Sequence, residues 1–338
     1  MPAKALRAVL RLLAAAGLMA LAVWIVGPER LAAQWAKADR MWFFLAVLSA
    51  GLAQVVSVLR WSSIARIFGL NVRVRALALA YAQGMTLNVL LPGATLGGDA
   101  LRSIRLQGLG NPLGVSALTV LLDRLSGLWV LCALSLITAV ALVATLGTQA
   151  LGGAVALATV NGVGLGRWNP AILVWAYMAG LAALCAIPWL PLRRQPAAAR
   201  VAPAGWIGRG IDRLAQLHDL AIAQRRPLGR SLWSSLLVQV LCALTLWLCV
   251  LAAGGRAGYW QVQAVAAPVF VAGALPLSYG GFGARELAAL AAFPLVGLPA
   301  DLGLAASVLY GVVAIVLGLA AAPAFAVVRL DPKATPGA

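Results

Sequence analysis

The chain has 338 residues, 63% of them hydrophobic and only 10% charged, where soluble domains carry about 25% charged residues. That balance leaves no room for a sizeable soluble domain, and several apolar runs reach the roughly 20 residues a helix needs to cross a bilayer. The net charge of +17 does not point to nucleic acid: no soluble recognition motif is present, and the basic residues sit between apolar spans as the positive-inside rule expects.

The expected fold is an all-α polytopic membrane protein, a single integral membrane domain over residues 1–338. It would have about six full transmembrane helices and two re-entrant helical hairpins in an inverted repeat. Lys4, Arg7 and Arg11 precede the apolar run from Leu12 to Val26. With no clean small-residue cleavage site, this run reads as a retained first helix rather than a signal peptide, its N-terminus cytoplasmic. Glu29 to Arg40 forms a mixed-charge outer loop, and Met41 to Leu59 returns inward to a basic segment with Arg60, Arg66, Arg73 and Arg75.

Ala76 to Leu91 is apolar but only about 24 Å long as a helix, and Pro92 and Gly93 stop it. Gly98 to Gln107 is expected to form a second short helix, so the pair reads as a hairpin entering from the cytoplasm and returning there. Leu118 to Leu146 contains the next span, Gly147 to Trp168 a glycine-rich outer loop, and Pro170 to Leu190 the return. The basic stretch 193–230 is expected in the cytoplasm, with an amphipathic surface helix near Ile207 to Ile222. Ser231 to Ala253 runs outward. Val262 to Leu275, ended by Pro276, and Ala284 to Pro294 make a second hairpin, this one opening outward. Leu302 to Val328 is the last span, with Arg329 and Lys333 inside. Nineteen basic residues fall on the proposed inner side and five on the outer, which places both termini in the cytoplasm of a bacterial-type inner membrane.

Two segments look alike. Leu91-Pro92 is followed by Gly97-Gly98, Asp99 and Arg102; Leu275-Pro276 is followed by Gly280-Gly281, Arg285 and Glu286. The pseudo-repeat halves would span about 42–147 and 231–328. Broken backbone inside a membrane survives only where protein buries it or where it lines a cavity, and matching interruptions in two inverted halves mark a transporter's binding site. Helix N-termini attract anions, and Arg102, Arg124 and Arg285 offer forks for phosphate. Asp99, Asp123 and Glu286 would hold those arginines or meet a cationic headgroup. Asn88, Gly97, Gly98, Ser278, Gly280 and Gly281 complete the candidate substrate-binding set. For each residue a purely structural ion pair stands beside the ligand reading: Asp99 and Arg102 are one turn apart, and adjacent Asp123 and Arg124 face different sides of a helix.

No catalytic residue, metal ligand set or cofactor motif is assigned. The four cysteines, Cys132, Cys185, Cys242 and Cys249, lie in apolar runs without metal spacing. The one histidine, His218, lies in a basic loop. No Walker A, H-E-x-x-H or G-x-S-x-G sequence occurs. Transport would then run downhill or couple to an ion gradient.

The ordered motifs resemble one family. They are Leu91-Pro92-Gly93, Gly97-Gly98-Asp99 with Arg102, Leu122-Asp123-Arg124, Pro276-Leu277-Ser278 and Gly280-Gly281-Phe282-Gly283 with Arg285-Glu286. Over nearly the whole chain they are similar to the flippase-like membrane domain of lysyl-phosphatidylglycerol synthases and its stand-alone relatives. The resemblance implies a bundle with re-entrant helices and translocation of a membrane lipid, a phospholipid or a polyprenyl-phosphate-linked one. It also implies a polar core of Asp99, Arg102, Asp123, Arg124, Arg285 and Glu286. With the sequence ending at Ala338, it implies a member without the soluble aminoacyl-transferase domain. The alternatives are an enzyme on lipid-linked sugars or phosphates, using Glu29 or Asp39, and a membrane partner of a lipid-modifying enzyme.

Overall fold

Helices of two lengths make up the fold. The computed structural model describes residues 38–70, 72–90, 94–156, 159–160, 163–164, 169–186, 225–275 and 282–327, with Glu29 before them. The expected first span, the basic stretch up to residue 224 and the C-terminal Arg329 and Lys333 lie outside the described residues. Long helices are α1 (Arg40–Ile67), α4 (Leu113–Ala156), α6 (Arg225–Ala252) and α9 (Ala300–Ala320). Short ones are α2 (Val74–Leu90), α3 (Ala94–Gly108), α5 (Pro170–Ala186), α7 (Tyr259–Ala274) and α8 (Ala284–Ala292). A 3-10 turn (Phe293–Val296) follows α8, and one last turn, α10 (Ala324–Val327), follows α9.

Among the described residues four helices are long and apolar enough to cross a membrane: Arg40–Ile67, Leu113–Gly147, Gly229–Ala252 and Ala300–Ala326. Each matches an expected span. The expected crossing from Pro170 is a shorter apolar helix, Ala171–Ala186. The expected outer loop after Gly147 is partly structured. Gly147 breaks α4 with a φ of 75°, helical backbone resumes to Ala156, and a minimal ladder pairs Thr159–Val160 with Val163–Gly164.

α1 explains itself by its two faces. Met41, Phe44, Leu48, Leu52, Val55 and Leu59 are exposed at three- and four-residue steps, while Ala46, Ser49, Ala50 and Ala53 are buried. The large face is apolar, as a lipid-facing surface requires. The small face lets another backbone come close, as membrane helix interfaces require. That partner is α6, and it runs antiparallel: the Asp39 amide donates to the Ala252 carbonyl at 2.9 Å, and the Ser49 hydroxyl to the Leu241 carbonyl at 3.1 Å. Trp42, Trp247, Tyr259 and Trp260 stack edge to face at the α1-start, α6-end side, the residue types that favour a membrane–water interface.

The short helices form two pairs, α2 on α3 and α7 on α8. α3 packs on α4 and α8 on α9; α4 crosses to α7 and α9 to α2; α4 meets α6 and α9 meets α1. The pattern of partners is unchanged when α1–α4 and α6–α9 are exchanged. The largest apolar core runs through α6, α7, α8 and α9, around Leu246, Val265, Phe293 and Ala306. A second core, around Trp61, Leu77, Leu106 and Val120, seats the α2–α3 pair.

Candidate functional site

α3 begins at Ala94, earlier than the sequence suggests, so Gly97 and Gly98 lie inside the helix and not ahead of it. This corrects their expected role. A Cβ on Gly98 would overlap Asn88 Oδ1 and the Gly84 carbonyl oxygen. The close approach that Gly98 permits is α2 against α3, not backbone against ligand. Gly98→Ala is therefore expected to push the two helices apart at a cost of about 1–3 kcal/mol, read as a drop in the thermal midpoint of the purified protein. Gly108→Ala on the same helix, with nothing within 4 Å of its added methyl, should leave that midpoint unchanged or higher. Equal behaviour of the two variants would refute the tight crossing.

This crossing points Arg102 inward, where its side chain is 3% exposed. Its guanidinium carbon lies 4.1 Å from the Trp61 ring centroid and 4.5 Å from that of Tyr81. Such cation–π contacts, out of water, each contribute about 2 kcal/mol. Arg102 Nη2 donates to Asp123 Oδ2 at 3.0 Å, and Arg60 Nε donates to Asp123 Oδ1 at 2.7 Å. Arg60 corrects the expected layout: it is not a loop arginine but a buried residue within α1, about two turns before the helix ends at Ile67. Asp123 is thus a carboxylate shared by two buried guanidiniums. Asp99 joins the network through Arg102 Nη1 at 3.3 Å and spans the fork of Arg124, accepting from Nε at 2.9 Å and Nη2 at 3.0 Å. The adjacent residues Asp123 and Arg124 do face different ways, one into the bundle and one outward.

Asp99 and Arg124 stand at the edge of a recess of about 460 Å³. Ser103 adds a hydroxyl, Ala117, Val120 and Leu121 of α4 form an apolar wall, and Ala274 from the end of α7 borders the same space. The end of the second pair's α7 thus comes close to the first pair's α3 here. Arg60 Nη1 and Arg102 Nε are buried without a hydrogen-bond partner, as is Asn88 Oδ1.

Among the described residues the second cluster is self-contained. Glu286 is fully buried and accepts from Arg285 Nη2 at 2.7 Å, Arg285 Nε at 3.1 Å and Ser307 Oγ at 3.0 Å. Its other oxygen accepts from the Gly283 amide, closing a capping box at the start of α8. Gly283 holds a φ of 93° there, a conformation that glycine adopts without penalty. The expected anion-binding N-terminus is thus occupied by the protein's own carboxylate. Phe282 and Tyr310 flank the Arg285 guanidinium at 5.0 and 5.5 Å. Ser278, Gly280 and Gly281 lie outside the described residues. Among the described residues no hydrogen bond or ion pair joins the two clusters.

The clusters share a register. Gly97-Gly98 stands five and four residues before Arg102, and Gly280-Gly281 stands five and four before Arg285. Arg102 reaches Asp123 on α4, and Arg285 reaches Ser307 on α9, at nearly the same separation along the chain. Arg60, Trp61, Tyr81, Ser307 and Tyr310 belong to the clusters but escape a reading of the sequence. The glycine–arginine spacing is the signal that aligns the halves and would have pointed to Ser307. Asp39, on which an enzymatic reading relies, caps α1 by accepting from the Met41 and Trp42 amides.

A search of individually curated proteins found no match to the chain. The family model described as the lysylphosphatidylglycerol synthase TM region, however, matches residues 8–322, a span that contains both short-helix pairs and every charged residue of the two clusters. The chain belongs to that family, a multi-pass membrane protein related to lipid modification or translocation.

Proposed function

We propose that the protein translocates a lipid across the bacterial inner membrane, its phosphate-bearing headgroup lodging in the recess between the two helical pairs. The observation that carries this reading is the pairing of chemistries in one place. The Asp99–Arg124 pair is partly open, while the wall beside it is apolar and includes the half-exposed Leu121. A headgroup needs the first and acyl chains need the second. Arg124 presents a fork suited to phosphate, and Arg102 behind it is held rigid between two rings and two carboxylates.

The exchangeable pattern of helix partners, with α1 and α6 antiparallel, supports an inverted repeat; in this reading the short pairs are re-entrant hairpins, one opening to each side, and the basic flanks put both termini in the cytoplasm. Such repeats give alternating access by rocking one half against the other around a fixed site.

Purified protein in liposomes containing headgroup-labelled phospholipids or polyprenyl phosphates is expected to speed exchange between leaflets. Arg102→Ala should return the rate to that of protein-free vesicles. A folded wild-type protein that moves none of these lipids would sink the reading.

A further inference from the structure

The two short-helix pairs differ in the backbone of their first helix. α2 contains no proline, whereas α7 contains Pro268. Proline has no amide hydrogen, so the carbonyl four residues earlier, that of Ala264, loses its helical donor. A neighbouring helix supplies one: the Tyr177 hydroxyl of α5 donates to the Ala264 carbonyl at 2.5 Å. The adjacent rung is held from outside as well. An undisturbed helix pairs the amide of Ala267 with the carbonyl of Gln263. Here the Ser135 hydroxyl of α4 accepts from the Ala267 amide at 3.2 Å and donates to the Gln263 carbonyl at 2.9 Å. Ser135 and Ala264 are fully buried, so water does not serve these groups.

The helix is held differently on the two sides of Pro268. Ahead of it, Val262 through Ala267 are all buried. The Tyr259 hydroxyl donates to the Val240 carbonyl at 3.2 Å and Gln261 Nε2 to the Val296 carbonyl at 3.0 Å. Beyond it, burial fades: Phe270 to Gly273 are half-buried, and Ala274 and Leu275 are exposed. This rear half reaches the recess through Ala274. It also touches the second cluster, with Phe270 near Tyr310 at 5.2 Å between ring centroids and Gly273 against the Arg285 side chain. Helices bend where a proline or an inserted side chain interrupts the ladder, and a membrane helix tolerates this where neighbouring side chains serve the freed backbone.

We propose that Pro268 is a hinge in α7, with Ser135 and Tyr177 as its fixed bearings, and that the rear half, Val269 to Ala274, swings about it at the edge of the recess. The bearings matter because they act on the front half alone. With Ala264 served by Tyr177, the rear half can move without leaving that carbonyl unpaired in the bundle, which would be costly. α2 has no such interruption, so the second pair is the moving partner and the first pair, with its buried ion network, the stationary one. The swing also links the recess to the second cluster, which no hydrogen bond or ion pair among the described residues does. That the hinge serves transport rests on the recess being the lipid site; the hinge itself does not.

The test measures distances between spin labels on the full chain in lipid nanodiscs, with the four native cysteines replaced by alanine. One label goes on Leu275→Cys, at the rear end of α7, and one on Met41→Cys; both positions are exposed. Met41 lies at the fixed side, where Trp42 and Tyr259 stack on Trp247. With Pro268 in place, two distances are expected. Pro268→Ala restores an amide donor for Ala264, so the minor distance should fall about fivefold in population, the worth of about one hydrogen bond, while the thermal midpoint stays or rises. Tyr177→Phe should lower the midpoint when Pro268 is present and leave it nearly unchanged in Pro268→Ala, where the new amide has taken over the carbonyl. A packing role for Tyr177 would cost the same in both backgrounds. A single narrow distance with Pro268 present, an unchanged distribution or a lowered midpoint in Pro268→Ala, or an equal cost of Tyr177→Phe in both backgrounds overturns the hinge. A hinge that stiffens as expected in a protein that moves no lipid stands, and defeats translocation instead. Lipid movement at an undiminished rate in a stiffened Pro268→Ala protein leaves translocation standing and removes the hinge from it.

Discussion

Asp123→Ala is expected to lower folding stability by about 3–5 kcal/mol. The reason is what remains behind. Asp123 neutralises Arg60 and Arg102 at 2.7 and 3.0 Å, and both arginines are buried. Without it, among the described residues, Arg102 keeps only the longer contact to Asp99 at 3.3 Å, and Arg60 keeps no charged partner. A guanidinium does not shed its proton to escape burial, so the cost must appear as strain, as water drawn into the bundle, or as unfolding.

Thermal unfolding of the purified protein would read the loss. Asp99→Ala is the proper comparison, because its partner Arg124 is half exposed and can be solvated in place. Adding Arg60→Met to Asp123→Ala should restore part of the stability, since it removes one of the two stranded charges. If Asp123→Ala costs no more than Asp99→Ala, Asp123 is not the hub of a desolvated network.

Much of the architecture was legible because membrane helices announce themselves by length, and because proline and glycine interrupt them at matching places. The breaks between α2 and α3 and between α7 and α8 are evident for that reason. Where α3 starts is not. Glycines weaken helices on average, so Gly97-Gly98 reads as the end of a loop; the helix nonetheless runs through them, and at Gly98 α2 lies so close that a side chain would not fit. That is a tertiary fact with no local trace.

Arg60 was obscured differently. It stands where an apolar run gives way to further arginines, and the positive-inside rule accounts for a basic residue there without asking whether it is buried. Its partner Asp123 lies 63 residues away. Trp61 and Tyr81 carry no local signal either; only the packing of α1, α2 and α3 brings both rings onto Arg102. In the second half, the sequence identified Arg285 and Glu286 but not their isolation. A glycine N-cap followed three residues on by glutamate is the one local hint that α8 is capped from within.

Glu286→Ala should therefore harm the protein nearly as much as Asp123→Ala, at about 3–5 kcal/mol, for a different mixture of reasons. Glu286 accepts four hydrogen bonds, from the Gly283 amide, Arg285 Nε and Nη2, and the Ser307 hydroxyl. Alanine leaves Arg285 charged and buried, and it uncaps a helix of only nine residues, too short to persist by itself. The two contributions can be separated. Glu286→Gln retains an oxygen for the Gly283 amide, so it should recover the capping share, about 0.5–2 kcal/mol, while setting an amide donor against the guanidinium donors. Arg285→Met combined with Glu286→Gln removes the stranded charge as well, and well-packed apolar replacement of a buried ion pair is often neutral or stabilising. The order of thermal midpoints should accordingly be Glu286→Ala lowest, Glu286→Gln next and the double variant highest of the three. A double variant as stable as the wild type that no longer moves lipid would mean that Arg285 and Glu286 are kept for transport and not for folding. A Glu286→Ala protein with an unshifted midpoint would mean that the cluster is hydrated, contrary to its burial.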